Sequence, residues 1–178
     1  YCTELQSDCF GLSRNKPPIR IGIPPMLSTV FFPELLTAFQ KEYPDVPVML
    51  EEYASVRACN LVQNDSLDLA LVNMEQYNID KFHHALLAND QVVFCVSKEH
   101  PLVRKEEATI QDMAQIPLIF FNGDSVQNQL LKIRFELEGF TPHVLMHNSQ
   151  IYTTLQFLKN NNCGCFLYSS MTDKFPDI

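Results

Sequence analysis

Positive charge is what this sequence has least of. Thirteen lysines and arginines stand against 21 aspartates and glutamates, a formal net charge of -8 over 178 residues. Nucleic acid demands a clustered basic surface, so the chain is not expected to bind DNA by itself. The same deficit means that an anionic ligand must be held by local donors against the overall field. Glycine is also scarce, at five residues, which leaves little for phosphate-cradling loops. There is no Gly-x-Gly-x-x-Gly turn, no Gly-x-Ser-x-Gly elbow and no His-Glu-x-x-His run, so the common nucleotide, hydrolase and zinc-peptidase chemistries have no foothold. No apolar run approaches the length of a membrane span, and the N-terminus has no signal-peptide core. No membrane partner, cofactor or metal is expected, and the chain is not expected to be an enzyme.

What is present is globular. Hydrophobic residues make up 46% and aromatics 11%, enough to exclude disorder. Six cysteines occur, Cys2, Cys9, Cys59, Cys95, Cys163 and Cys165, without the look of a disulfide framework for a chain of this size. That pattern favours a reducing, cytoplasmic setting. Cys59 and Cys95 fall on apolar faces and read as small hydrophobes. Cys163 and Cys165 lie two apart on a predicted strand and point to one side. A metal or redox pair there is weighed against ordinary burial, which is preferred.

The stretch from Ile19 to Tyr43 organises the first half. Ile19, Ile21 and Ile23 alternate as a strand, which two prolines end. Ser28 or Thr29 is expected to cap the following helix, with Phe32, Leu35, Leu36, Phe39 and Tyr43 as its buried stripe and Pro33 in its first turn. Val46 to Leu50 is a second strand, leading to a corner at Ser55 and a short helix through Cys59 and Val62. Leu67 to Val72 is a third strand, apolar enough to be covered on both faces. The order is β-α-β-α-β.

A polar stretch from Met74 to His84 precedes a strand at Gln91–Val96. The second half then repeats the first. Pro117–Phe121 is a strand, followed by the corner Asn122, Gly123, Asp124 and Ser125 and a helix that ends at Gly139. Val144–Met146 is the next strand, with a corner at Asn148 and Ser149, then a helix, then a strand from Cys163 to Tyr168. Thr109 is a plausible cap for a brief helix to Ala114. We divide the chain into a linker or tail (1–17), a first subdomain (18–90) and a second (91–178).

Four strand-to-helix corners thus carry small polar residues: Ser28 and Thr29, Ser55, Asn122 to Ser125, and Asn148 with Ser149. Each by itself reads as an ordinary helix cap. As a set they place several helix N-termini, with free N–H groups and positive dipole ends, at strand carboxyl ends where α/β folds bind small anions. His147 near Ser149 superficially offers a base and a nucleophile, but no strained elbow supports it. Arg57, at the start of a helix, reads either as a ligand contact or as a solvated side chain.

The ordered motifs resemble the C-terminal regulatory domain of LysR-type transcriptional regulators. The carriers are Ile19-Arg20-Ile21-Gly22; the Pro33, Leu35, Leu36, Phe39, Tyr43, Pro44 helix; Leu67-Asp68-Leu69-Ala70; His100-Pro101-Leu102; and Gly139-Phe140-Thr141-Pro142. Where the family reads Gly-x-Gly-Ile, this chain reads Asn162-Cys163-Gly164-Cys165. The resemblance covers residues 18–178. It implies an α/β fold of two Rossmann-like subdomains joined by crossing strands, like a type 2 periplasmic binding protein. It implies a small-molecule effector in the cleft between lobes, touching Ser28, Thr29, Ser55, Asn122, Gly123, Asp124, Ser125 and, less securely matched, Ser149. It further implies a bacterial regulator that acts as a homodimer or tetramer and touches DNA only through an N-terminal winged helix-turn-helix outside this sequence. A return strand and closing helix of the first lobe are expected beyond Ile178. The effector is expected to be an organic anion. The alternative on the same fold is a periplasmic-type solute-binding protein of a transporter; an enzyme on the scaffold is a third reading, and a thiol-based redox sensor a minor one.

Overall fold

The computed structural model describes residues 16–74, 78–122 and 125–178. They form two compact units, the first ending at Val72 and the second beginning at Asn73. In the first unit β1 (Ile19–Ile23) runs parallel to both β2 (Val48–Glu52) and β3 (Leu69–Ala70), in the order β2-β1-β3. Helices α1 (Pro25–Glu42) and α2 (Ser55–Gln63) make the crossovers. Ile23, Met26, Val30, Ala58, Cys59 and Leu67 are its buried apolar residues.

Three expectations for α1 are corrected: its cap, the place of Pro33 and its buried stripe. The helix starts at Pro25 with Pro24 as its N-cap residue, because proline at the first helical position has its φ already set and no N–H to leave orphaned. Ser28 and Thr29 therefore lie inside the helix, and Pro33 is an interior proline with no N–H to give to the carbonyl of Thr29. The buried residues of α1 are Met26 and Val30, whereas Leu35 and Tyr43 are exposed. An 18-residue helix is about 27 Å long, against about 17 Å for a five-residue strand. The C-terminal half of α1 overhangs its sheet. The third strand is also shorter than expected, two residues of the six.

The second unit carries the strand order β4-β7-β5-β6, with β4 at Val92–Val96, β5 at Leu118–Phe120, β6 at Val144–His147 and β7 at Gly164–Tyr168. β5 pairs parallel with β6 and β7, whereas β4 pairs antiparallel with β7. The order β6-β5-β7 reproduces β2-β1-β3, so the expected internal repeat is a repeat of topology. Helices α3 (Ile110–Ala114), α4 (Val126–Leu137), α5 (Ile151–Asn160) and α6 (Ser169–Thr172) complete the unit. Its core packs Ile116, Leu118, Phe120, Phe135 and Phe166, with Phe120 and Phe166 edge to face at 5.8 Å. Gly139 adopts φ 78° after α4, as expected. Thr109 caps α3 in a reciprocal box with Asp112. His100 is buried and accepts the Leu102 N–H at Nδ1, so the His-Pro-Leu step is the cap of a short 3-10 turn at Pro101–Arg104.

The expected boundary between residues 90 and 91 falls inside the second unit. The side chain of Asp90 accepts hydrogen bonds from the hydroxyls of Ser169 and Ser170, both at 2.5 Å, and the amide of Asn73 donates to the Tyr168 hydroxyl at 3.0 Å. These side-chain bonds, invisible to a periodicity argument, tie Asn73 to β7 and Asp90 to α6.

Candidate functional site

The four corners lie at the carboxyl ends of β1, β2, β5 and β6; in the first unit the corner after β1 meets Glu52, the last residue of β2, and in the second the corner after β5 meets the corner after β6. In the first unit the Ser28 hydroxyl lies 2.8 Å from the Glu52 carboxylate and 2.8 Å from the Pro25 carbonyl. It has one hydrogen for two acceptors. In the second unit the Asn122 amide donates to the Ser149 hydroxyl at 2.8 Å. By topology the two contacts are similar, each joining the corner after a central strand to the carboxyl-end region of its outer neighbour.

None of the four corners carries the expected side-chain cap. The Ser28 N–H already serves the Pro24 carbonyl at 2.9 Å, and the Thr29 hydroxyl bonds back to Pro25 at 3.2 Å. Ser55 is the first residue of α2, buried, with Ala54 in the N-cap place. The cap residue of α5 is Gln150, not Ser149. Ser125 does hold the N-cap place of α4, but its side chain does not cap the helix; it donates to Gln127 Oε1 at 3.2 Å. Gly123 and Asp124 lie outside the described residues.

The two units differ electrostatically at these corners. Pro24 and Pro25 remove two of the four N–H groups that a helix N-terminus offers, and Glu52 adds a carboxylate beside Ser28. Two like charges 4 Å apart repel by about 1 kcal/mol in bulk water and about 4 kcal/mol near a protein surface. The first corner is therefore poor for an anion and suited to a hydrogen-bond donor. Arg57 stacks over the Tyr53 ring at 5.0 Å, and the Tyr53 hydroxyl donates to Glu51, so Arg57 is neither a bare cation nor simply solvated.

The α4 end is the opposite case. Its N-cap residue Ser125 makes no side-chain cap bond, so among the described residues its first-turn N–H groups have no intrahelical or side-chain acceptor. Gln127, 8% exposed, has its buried Nε2 without any hydrogen-bond partner. Exchanging the amide atoms would orphan the oxygen instead, so the deficit survives either assignment.

Sequence reasoning missed Asn128, Glu52 and Gln127. Asn128 is 1% exposed, accepts the Phe121 N–H at 3.1 Å and donates to the carbonyls of Phe121 and of Asn122, the latter at 2.9 Å. It fixes the corner after β5. His147 Nδ1 donates to the Phe121 carbonyl at 2.7 Å, and Ser149 accepts from Asn122, so the pair serves the scaffold and not nucleophilic catalysis. Asn148 likewise closes its own turn, accepting from the Gln150 N–H at 3.1 Å. Among the described residues no cluster of three or more metal-ligating side chains occurs, and no helix is long and apolar enough to cross a membrane.

Comparison with known proteins places these observations. The family model described as the LysR substrate binding domain matches residues 13–177. An uncharacterised HTH-type transcriptional regulator of Bacillus subtilis, YwbI, is 32% identical over 76% of this chain and 45% of its own length. The dual regulator GltC of the same organism is 24% identical over 75% of this chain and 44% of its own. The chain thus spans less than half the length of these relatives. Among solved structures, the effector binding domain of QuiR in complex with shikimate superposes with a TM-score of 0.71 at 20% identity, covering 89% of this chain and 78% of that one. The regulatory domain of OxyR2 from Vibrio vulnificus superposes at 0.72 with 13% identity, covering 89% and 73%. The fold is the type 2 periplasmic-binding-protein-like α/β fold expected from the sequence, and the relatives are transcriptional regulators, not enzymes or transporter subunits. The chain belongs to the LysR substrate-binding domain family.

Proposed function

We propose that this chain senses a small organic acid at its strand-end corners and reports it to a transcriptional regulator. The observation that carries the reading is the repeated contact between neighbouring strand ends, Ser28 with Glu52 and Asn122 with Ser149. It gathers polar side chains from separate crossovers at strand carboxyl ends, where α/β folds take ligands. The acid group goes to the second unit, where the start of α4 supplies donors beside Asn122, Ser125 and Ser149, with Gly123 and Asp124 of the same corner in sequence as further candidate contacts. In the first unit, taken by itself, the corner of Ser28, Thr29 and Ser55 is suited to hydroxyl or amino groups, with Glu52 as the acceptor. Binding regulates only through different affinities for two conformational states.

For the whole protein we infer an N-terminal winged helix-turn-helix that makes the DNA contact, a cytoplasmic location, and assembly as a dimer or tetramer. Exposed Leu35 on α1 and Ile133 and Leu137 on α4 supply apolar surface for self-association. Calorimetric titration of small aromatic and aliphatic carboxylates into the wild-type chain and into Asn122→Ala and Ser28→Ala tests the site. Loss of a hydrogen bond to a charged group, about 1.5–3 kcal/mol, weakens affinity at least tenfold in Asn122→Ala. Equal affinity in all three proteins would sink the site assignment.

A further inference from the structure

The cysteines carry an inference independent of the effector site. Sequence proximity pairs Cys163 with Cys165, but the fold pairs Cys165 with Cys95. The two are directly opposed in the antiparallel β4–β7 ladder, which puts their side chains on one face of the sheet, and the Cys95 thiol lies 3.7 Å from the Val93 carbonyl. Directly opposed residues have Cα atoms about 4.5–5.5 Å apart, within the ~4.4–6.8 Å that a disulfide spans. Cys163 turns elsewhere, its thiol donating to the Phe157 carbonyl of α5 at 3.9 Å. All four described cysteines are free thiols.

We propose that Cys95 and Cys165 are a thiol oxidation site at which a small uncharged peroxide closes a reversible disulfide across β4 and β7. The roles within the pair are unequal. Cys95 is 6% exposed and Cys165 is fully buried, so Cys95 is the sulfur that an oxidant reaches, and only a small neutral one passes. The neighbouring Cys165 thiol lowers the pKa of Cys95 against the opposing effect of its burial, and the proximity of Cys95 together with burial raises that of Cys165. The Cys95 thiolate attacks one peroxide oxygen; the O–O bond breaks, hydroxide leaves, and with the displaced thiol proton it becomes the first water. The Cys95 sulfenic acid is then attacked by the Cys165 sulfur; the S–O bond breaks, and the leaving hydroxide takes the Cys165 proton as the second water. In sum two thiols lose two electrons to one peroxide, giving one disulfide and two waters. The bond staples edge strand β4 to central β7 and closes a loop that contains α3, β5, α4, β6 and α5, restricting the unfolded chain.

The test titrates the full chain with hydrogen peroxide, alkylates the remaining thiols and maps disulfides by mass spectrometry without reduction. The expected product joins the Cys95 peptide to that of Cys165 and disappears with dithiothreitol. Cys163 shares a tryptic peptide with Cys165, so Cys163→Ala, which keeps the link, separates the two; Cys95→Ala and Cys165→Ala lose it. Oxidation raises the melting temperature of the wild type and leaves that of Cys95→Ala unchanged. A disulfide that uses Cys163, Cys2 or Cys9, or a folded wild-type chain by circular dichroism in which Cys95 remains fully alkylatable, overturns the proposal.

Discussion

Asn128 occupies the third position of α4 with both ends of its amide engaged by backbone groups of the neighbouring corner. Replacement by alanine orphans the Phe121 N–H, at a cost of about 1–3 kcal/mol, whereas the Phe121 and Asn122 carbonyls keep His147 Nδ1 and the Ser125 N–H as donors. Urea unfolding of Asn128→Ala is expected to show a loss in that range. Asn128→Asp is expected to lose more, because a carboxylate oxygen then faces two carbonyl oxygens; an aspartate variant as stable as wild type would contradict the hydrogen-bond assignment. At the surface, hydrogen bonds from Arg20 hold the carboxyl of Asp68 at about 2, and Lys105 with Thr109 does the same for Asp112, both against an ordinary 3.8. A carboxyl with a lowered folded pKa stabilises fully above its unfolded value and loses that contribution as pH falls toward the folded one. Stability is therefore expected to fall between pH 3.8 and about 2, and Asp68→Asn with Asp112→Asn is expected to flatten that slope in thermal melts.

Among the elements, β7 is buried at all five of its positions and β5 at all three. A Cβ on Gly164 would stand 2.4 Å from Cε2 and 2.7 Å from Cζ of Phe94, which packs against Phe166. A Cβ on Gly22 of β1 would meet the end of the Leu67 side chain at 2.5 Å, and leucine rotates away more readily than a packed ring. Gly164→Ala is expected to cost about 1–3 kcal/mol, as overpacking does, and Gly22→Ala less; the reverse order in denaturant titrations would refute this packing. For α3, Thr109→Ala removes the cap and is expected to cost about 1 kcal/mol, read in the same titrations. Asp90 ties the segment before β4 to α6 through two serine hydroxyls. Asp90→Ala is expected to speed limited proteolysis between Asn78 and Gln91 without changing cleavage in the first unit. Strands and helices with strong periodicity were legible in the sequence, including β1, β4, α4 and α5. The start of α1 was not, because the serine-threonine pair competes with a proline signal and the proline prevailed.

For the whole molecule, the net charge of -8 leads to the expectation that this chain alone does not retard duplex DNA in gel-shift assays at low ionic strength. Retardation there would place a nucleic-acid surface within the chain and revise the proposed division of labour. Composition and periodicity by themselves determined the globular class, the α/β alternation, the internal repeat and the strand-end corners, because these depend on patterns local to about twenty residues. The ordered family motifs determined the family. Only the tertiary structure decided which polar groups meet: Ser28 with Glu52, Asn122 with Ser149, Asp90 with the serines of α6, and Cys95 with Cys165. Such partners lie 24 to 79 residues apart in three of these cases, and sheet order and register alone bring them together. A hydroxyl at a strand end announces hydrogen bonding in the sequence; whether it caps a helix, serves a carboxylate or meets a ligand depends on what folding places beside it.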